Sequence, residues 1–441
     1  MIASLNTRDA PTISYGELLK ASARGTVSQC VFQPEGGFVA NGSSSTVVRI
    51  PIASNDSFLD TRRSNLRIKL NVTAATAAVF LDTSVYSVIK NMRVLTAAGT
   101  PIETINEYNF LANQLIQGGL AKDAFPSQSI KIGTANDAGI SAAVANYNEI
   151  DNLQNSTFAV GASSRTYNAP IICSGFMQMS AENVNGVYIP LCLIQGGVVL
   201  ELTLADPGDV FKSATGTATY TAEISYVATM VTPEAGVVQE KKAALQQLGM
   251  TGQKLHMSSF TYINQQFYDA ITAHALMMGV RARSIKGILA YCRPSASVGA
   301  FTANKYASDV STANPPSNGY IAVGGVNFPN VPLQTFGDFL TNYEQALGRS
   351  AAGLIDGASW VSGATTFVDA ATHGTFSYGL DLESFVDAKN VIEAGYDTSS
   401  QSLPVTIYIN TGNATARQWQ VFAHCDMILS LDGNGQLSAS Y

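Results

Sequence analysis

Short runs of alternating apolar and polar residues dominate this chain. In residues 66–70, Leu66, Ile68 and Leu70 alternate with two basic residues, and residues 220–228 alternate over a longer stretch. Alternation with a period of two places one set of side chains on one face of a β-strand. Most of these runs are rich in β-branched residues and bounded by Gly, Pro, Asn or Asp, as strands are. Strands are predicted at residues 46–52, 65–72, 79–81, 86–95, 176–180, 186–193, 197–204, 217–231, 255–267, 277–291, 376–378, 403–410 and 417–431.

Three segments instead follow the 3.6-residue period of an amphipathic helix. Two of them carry a stripe of apolar side chains, in residues 105–116 and 336–347. The third, 237–248, begins shortly after Pro233 and ends before Gly249, which are typical helix-start and helix-end residues. We predict that this third helix links two domains.

A weak internal sequence repeat indicates that the two domains have similar folds. Residues 88–90 and the apolar run after them recur at 284–289, and residues 104–108 recur at 335–339 with the same kinds of side chain. The second copy holds about 35 more residues between strand and helix, which predicts a loop insertion into a shared scaffold. A chance match of short apolar strings is the alternative interpretation.

We therefore predict an all-β protein built from two tandem eight-stranded jelly rolls, a double jelly roll, with a short linking helix and long loop insertions. Propellers and barrels share the regular spacing of short strands, whereas the chain lacks the strand–helix alternation typical of α/β folds. The predicted parts are an N-terminal arm (1–45), a first jelly roll (46–232), the linker helix (233–250) and a second jelly roll (251–441).

Three polar stretches rich in Gly, Ala, Ser, Thr and Asn are too long for plain connections in a compact domain. We predict that they are functional or interface insertions, at residues 118–170, 293–332 and 348–375.

The composition is poor in charge. Asp, Glu, Lys and Arg make up 13% of the 441 residues, about half of the roughly 25% usual in soluble domains. An uncharged surface is easily desolvated, which favours a protein covered by neighbouring subunits; a secreted β-sandwich with a polar, uncharged surface is the alternative. The net charge of −7 disfavours a nucleic-acid coat, which needs clustered Lys and Arg.

Histidines and cysteines give no metal site. No CxxC motif is present, so free buried thiols in a reducing compartment are the expected state of the cysteines. His424 and its neighbour Cys425 lie in a predicted strand, where adjacent side chains point to opposite faces. The histidines are His256, His274, His373 and His424, and the cysteines are Cys30, Cys173, Cys192, Cys292 and Cys425.

Two pairs of carboxylates were considered as glycosidase candidates, because sandwich glycosidases use two acids. Asp381 and Glu383 share one face if they lie in a strand, and Asp206 and Asp209 flank a Pro-Gly turn. Solvated strand edges or loops explain both pairs more simply. We predict no catalytic residue, no metal, no cofactor and no enzymatic activity.

The N-terminal residues contain no apolar core of a signal peptide. The longest apolar stretch, residues 188–200, is too short to span a bilayer. The protein is therefore expected to be made and folded in the cytoplasm.

The family resemblance rests on the amino-acid sequences of several segments and on their order along the chain. The segments are residues 58–60 leading into 66–70, residues 89–111, residues 189–191 followed by 196–202, and the closing 419–441. Together with the element order over residues 46–441, they resemble the double jelly-roll major capsid proteins of the tectivirus–adenovirus lineage. The resemblance is greatest to the smaller members from icosahedral bacterial and algal viruses. It leaves residues 118–170 unplaced.

The resemblance implies a structural subunit that trimerises into pseudo-hexagonal capsomers and tiles the icosahedral shell of a virion. Implied partners are neighbouring capsomers, minor capsid or penton proteins and, where the virus has one, an internal membrane on the inner face, with no sequence-specific nucleic acid. We expect the stretches 118–170 and 293–332 to carry much of the trimer contact, so that deleting either leaves a soluble monomer.

Two other classes of function stay open on the sequence alone. One is a carbohydrate-binding or carbohydrate-active double β-sandwich protein, which needs an acid pair facing a cleft. The other is a bacterial surface-layer or pilus protein, which needs an export signal.

Overall fold

The computed structural model describes residues 25–37, 39–119, 131–133, 157–182, 187–249, 252–347, 360–363, 365, 374–384, 394–399 and 405–441. The strands of the first half are β1 (Gly25–Phe32), β2 (Ala40–Asn41), β3 (Val47–Ile52), β4 (Phe58–Ala74), β5 (Val79–Leu81), β6 (Ile89–Thr96), β7 (Pro101–Ile105), β8 (Thr157–Phe158), β9 (Gly161–Ala169), β10 (Val198–Leu204), β11 (Phe211–Lys212) and β12 (Ala218–Pro233).

The first half is a jelly roll. One antiparallel sheet has the order β1-β12-β4-β9 and the other β3-β10-β6-β7, while β5, β8 and β11 form a small separate sheet. Among the eight strands of the two main sheets, counted along the chain, the orders are 1-8-3-6 and 2-7-4-5. Inward side chains of both sheets, such as Ile68 and Ile224 from one and Ile50 and Leu202 from the other, share one apolar core.

The second half has the same order built from fewer, longer strands. Its strands are β13 (Gln253–Met278), β14 (Ile285–Pro294), β15 (Ser317–Val323), β16 (Val326–Leu333), β17 (Ser377–Asp381), β18 (Val405–Leu431) and β19 (Leu437–Ser440). The first part of β13 pairs with the second part of β18, next to β14 and β17. The second part of β13 pairs with the first part of β18, next to β15 and β16.

β13 and β18 therefore each supply two strands and cross from one sheet to the other. Register shifts in β13 between Tyr268, Ile271 and Ala273 mark the place where it crosses, as bulges do at the corners of sheets. Counted as four strands, they give the second half the orders 1-8-3-6 and 2-7-4-5 as well. The predicted fold class, two tandem eight-stranded jelly rolls, is confirmed.

The longer helices lie outside the sheets: α1 (Tyr108–Gly119), α2 (Ala235–Leu248) and α3 (Phe336–Ala346). α1 and α3 each follow the fifth strand of their half, so the predicted helix repeat is correct. α3 starts with a capping box, in which Thr335 Oγ1 accepts from Asp338 N and Asp338 Oδ2 accepts from Thr335 N at 3.0 Å. α2 follows β12 and precedes β13 along the chain. No helix in the described part of the chain is long and apolar enough to cross a membrane.

The strand half of the predicted repeat is wrong. β6, at residues 89–96, is the fourth strand of its half, whereas β14, at 285–294, is the third. The true counterpart of β6 is β15, inside the predicted insertion 293–332. The extra residues between strand and helix therefore contain the connection 295–316 and one additional sheet strand, β15, because β16 is the counterpart of β7.

The same error affects residues 118–170, because β9 lies inside them and pairs with β4 over Leu66–Thr73. These strands escaped prediction because they lie at or near sheet edges and are short of large apolar residues. In β9 only Tyr167 and Ala169 are buried, and β16 contains Pro329 and Pro332, which edge strands tolerate. Deleting either stretch would remove sheet strands, so the expected soluble monomer is replaced by an expectation of misfolding.

Other differences are local. Residues 176–180, and the described part of 186–193 (residues 187–193), form turns, extended segments and short helical segments, in which Phe176 and Leu191 are buried. The predicted arm, residues 1–45, contains β1 and β2, which pair with β12. Residues 1–24 of that arm lie outside the described residues, as do all of 134–156 and most of 348–373.

Candidate assembly surfaces

In the described part of the chain, no group of three or more His, Cys, Asp or Glu is placed to hold a metal ion. His256 Nε2 lies 2.9 Å from Asp426 Oδ1. His274 is 2% exposed, and desolvation lowers its pKa to about 4. His424 stacks on the ring of Phe260, and desolvation lowers its pKa to about 4 as well. His373 lies outside the described residues.

The carboxylate pairs hold loops in place. Asp206 Oδ1 accepts from Ser44 N at 2.9 Å, and Asp209 Oδ1 accepts from Gly299 N at 3.1 Å. Asp381 Oδ1 accepts from Glu383 N at 2.9 Å. Glu383 in turn forms an ion pair with Lys286 at 2.9 Å. Because these oxygens already bind main-chain N–H groups or a lysine, neither pair is arranged as a glycosidase acid pair.

All five cysteines are free thiols. Four of them are buried, as predicted, and burial raises the pKa of both Cys292 and Cys425 to about 12. Cys30 differs, because it lies on the exposed strand β1.

The two halves meet at a buried carboxyl group that no motif or spacing in the sequence marks. Glu103 on β7 is 1% exposed and accepts from the hydroxyls of Ser174 and Ser259 and from Gly175 N at 2.8 Å. Ser259 belongs to β13, so this cluster connects the two jelly rolls. Burial raises the pKa of Glu103, and hydrogen bonds from these three donors and from the main chain of Phe176 oppose that shift.

β1 is the first of two surfaces suited to covering by another molecule. Seven of its eight residues are exposed, including Val27 (56%) and Val31 (51%). It pairs with β12 along one edge and ends the sheet order, so its other edge has no strand partner among the described residues. An uncharged edge strand that is exposed in this way readily pairs with or packs on another chain.

The second surface is the outer face of the sheet formed by the second part of β13, the first part of β18, β15 and β16. Met277 is 65% exposed and Val331 76%. Tyr408 and Tyr320 stack at 4.8 Å between ring centroids. The segments 271–278, 317–323, 326–333 and 405–410 contain no Asp, Glu, Lys or Arg. Exposed apolar groups without nearby charge typically mark an interaction site.

Solved structures share this fold over nearly the whole chain. PBCV-1 VP54, fitted into a cryo-EM reconstruction of the virophage Sputnik, is 10% identical, with coverage of 97% of this chain and 99% of that chain and a TM-score of 0.57. A quasi-atomic model of the PBCV-1 virus capsid is 11% identical, covering 97% and 99% with a TM-score of 0.59. The Faustovirus major capsid protein is 7% identical, covering 94% and 92% with a TM-score of 0.55.

No protein-family model matches the chain, and no curated protein matches it in sequence. At identities of 7% to 11%, the likeness to solved structures establishes the fold. The resemblance stated from the sequence is therefore confirmed as a likeness of fold.

Proposed function

We propose that this chain is a viral major capsid protein, a structural subunit that tiles an icosahedral shell. The observation that carries the proposal is the double jelly roll itself, whose two halves repeat one strand order and align over at least 94% of the chain with viral capsid proteins. The low content of charged residues, 13%, supports a surface that is covered by neighbours.

We infer that three copies form one capsomer. A ring of identical subunits needs two different surfaces on each subunit, because its contacts are heterologous. β1 in the first half and the uncharged sheet face in the second half provide such a pair of surfaces. Three chains of two similar jelly rolls also give six similar corners, which accounts for a pseudo-hexagonal outline.

If the protein is a subunit of a virion shell, its partners and its structural role follow from that location. Partners are neighbouring capsomers, minor capsid or penton proteins and, in a virus that has one, an internal membrane, and the role is structural rather than enzymatic. We also propose that the two jelly rolls are the domains of the chain, with α2 as their linker. Within the described residues nothing favours the carbohydrate-binding alternative, because its acid pairs are engaged in loop contacts.

The solution mass tests the proposal directly. Light scattering on the purified protein should give about 140 kDa, three times the 46.5 kDa of one chain, and negative-stain images of the same peak should show six-cornered particles. A stable monomer without such particles at concentrations well above the micromolar range contradicts the proposal.

A further inference from the structure

Three charged side chains are buried together where loops of the two halves meet. Asp82 follows β5, Lys212 lies in β11, and Lys305 belongs to the connection between β14 and β15. Their exposed fractions are 1%, 1% and 0%. Two amines therefore share one carboxylate in a place where an uncompensated charge is costly.

A buried carboxamide completes the group. Lys212 Nζ donates to Asn304 Oδ1 at 3.0 Å and lies 3.8 Å from Asp82 Oδ1, while Asn304 is 4% exposed. Asp82 Oδ2 accepts from the main-chain N–H of Lys305 at 2.6 Å, which fixes the carboxylate beside both amines. The Lys305 amine donates to the main-chain oxygen of Phe211.

The surroundings favour a neutral amine. Phe301 lies against the Lys305 amine, and the buried Tyr306 is the next residue along the chain. Desolvation, and secondarily the positive charge of Lys212, lower the pKa of Lys305 to about 8 although Asp82 opposes the shift. The two neighbouring amines repel each other when both are charged, so release of a proton by either of them relieves that repulsion. A lysine amine is a nucleophile only in its neutral form.

We propose that Lys212 and Asn304 form an isopeptide bond that joins the two jelly rolls covalently, with Asp82 as the proton carrier. Lys212 Nζ lies 3.0 Å from Asn304 Oδ1, the oxygen bonded to the carbon Cγ that it would attack, and such proximity accelerates attack. Asp82 Oδ1 lies 3.8 Å from the same amine and would accept its proton once the lysine side chain shifts towards it.

The reaction balances without any further reactant. The Lys212 ammonium passes one proton to the Asp82 carboxylate, and the neutral Nζ then attacks Asn304 Cγ. Asp82 protonates Nδ2, the Cγ–Nδ2 bond breaks, and ammonia leaves. A second proton is lost from Nζ through Asp82 to the departing ammonia, so that an amide and an ammonium ion replace the ammonium and the carboxamide.

Lys212 is the linking amine because it donates to the carboxamide of Asn304, whereas the Lys305 amine donates to a main-chain carbonyl. The bond would connect residues 92 positions apart and would fasten the loop after β14 to β11 of the first half. The inference does not depend on the proposed capsid role, since it concerns one chain folded by itself.

Intact-mass spectrometry of the purified, denatured full chain tests the proposal. We expect a mass lower than that of the sequence by one ammonia, and a branched tryptic peptide joining residues 166–241 to residues 287–305. Trypsin does not cleave after an acylated Lys212, nor at Arg293, which precedes a proline. The full sequence mass, with residues 166–212, 213–241 and 287–305 recovered as separate peptides, overturns the proposal.

Variants test the assignment of roles. Lys212→Arg and Asp82→Asn should both give the full sequence mass, and Lys305→Arg, the matched control, should retain the loss of one ammonia. A linked Lys212→Arg variant overturns the choice of amine, and a linked Asp82→Asn variant overturns the role of Asp82. Because the wild-type mass is decisive alone, a variant that fails to fold leaves the proposal testable.

Discussion

The second half contains a buried ion pair whose loss should strongly lower the free energy of unfolding. Arg417 is 0% exposed and forms a fork with Asp309, with both nitrogen–oxygen distances at 2.8 Å, and it also donates to Thr411 Oγ1 at 2.7 Å. Arg417→Met leaves a poorly solvated carboxylate without its partner, so we expect a loss of about 3–5 kcal/mol in the free energy of unfolding. Denaturant titration measures this loss.

An exposed ion pair provides the matched control for Arg417. Lys69 and Glu223 lie 2.8 Å apart with side chains 43% and 34% exposed. Because solvent screens such a pair, Lys69→Met should cost only about 0–1 kcal/mol. Equal losses for the two variants would mean that the Arg417 cluster is solvated in the native protein.

His274 should make the protein sensitive to acid. Its folded pKa of about 4 is below the ordinary 6.5 because burial disfavours the cation. The neutral form is therefore favoured on folding, and the stability it contributes is lost as pH falls from about 6.5 towards about 4. His274→Phe keeps a ring beside Trp419 and removes this titration.

Between pH 6.5 and 4, we expect the unfolding free energy of the His274→Phe variant to decline less steeply with falling pH than that of the wild type. The difference in slope should correspond to at most about one proton taken up on unfolding. A comparison at pH 8 isolates the pH-independent cost of the lost hydrogen bond to Thr411, 3.3 Å long in the native protein. Parallel curves from pH 8 to 4 would show that His274 becomes protonated without unfolding the chain.

At the scale of one element, α2 offers two glycines that differ only in backbone conformation. A Cβ at Gly236 or at Gly249 meets no atom within 4 Å. Gly236 lies in the first turn of the helix, whereas Gly249 ends it with φ 55° and ψ −129°, a region that is reserved for glycine. Gly236→Ala should raise the free energy of unfolding by about 0.5–1 kcal/mol, and Gly249→Ala should lower it by about 1–3 kcal/mol. Effects of the same sign in thermal unfolding would contradict this assignment of the helix end.

Strands could be predicted from the sequence where one face is buried and the other is exposed to solvent. Residues 218–233 keep clear alternation, and this strand appears within two residues of its expected limits. β18 was predicted as two separate strands because it is buried on both faces around Gln418 and Gln420 and bends between the sheets, so the alternation is interrupted. The edge strands β1, β9 and β16 were not predicted because an edge strand packs against few neighbours. Small, polar or proline residues are therefore tolerated there, and the apolar alternation is weak. The buried polar groups Glu103 and Lys212 come together only through tertiary contacts, so no spacing in the sequence marks them.

At the scale of the whole molecule, the uncharged sheet face of the second half should govern assembly and not folding. Met277→Glu places a charge on a side chain that is 65% exposed, so its effect on monomer stability should stay within about 0.5 kcal/mol. Burying that charge in a subunit contact is costly, and light scattering should therefore show a shift from trimer to monomer. Val237→Glu, on α2 at 39% exposure, is the control that should remain trimeric. A trimeric Met277→Glu variant would place this face outside the contact.

The exposed strand β1 carries its own reporter of assembly. Among the five cysteines, Cys30 is exposed and the other four are buried, so a native dissociated subunit should react rapidly with one equivalent of a thiol reagent, and denatured protein with five. If a neighbour covers β1 in the capsomer, reaction at Cys30 should slow at least about tenfold on assembly, because the reagent reaches it only when the contact opens. A Cys30→Ser variant supplies the baseline. An unchanged rate in the trimer would mean that β1 remains uncovered, and the contact between subunits would then have to be built from another part of the first half.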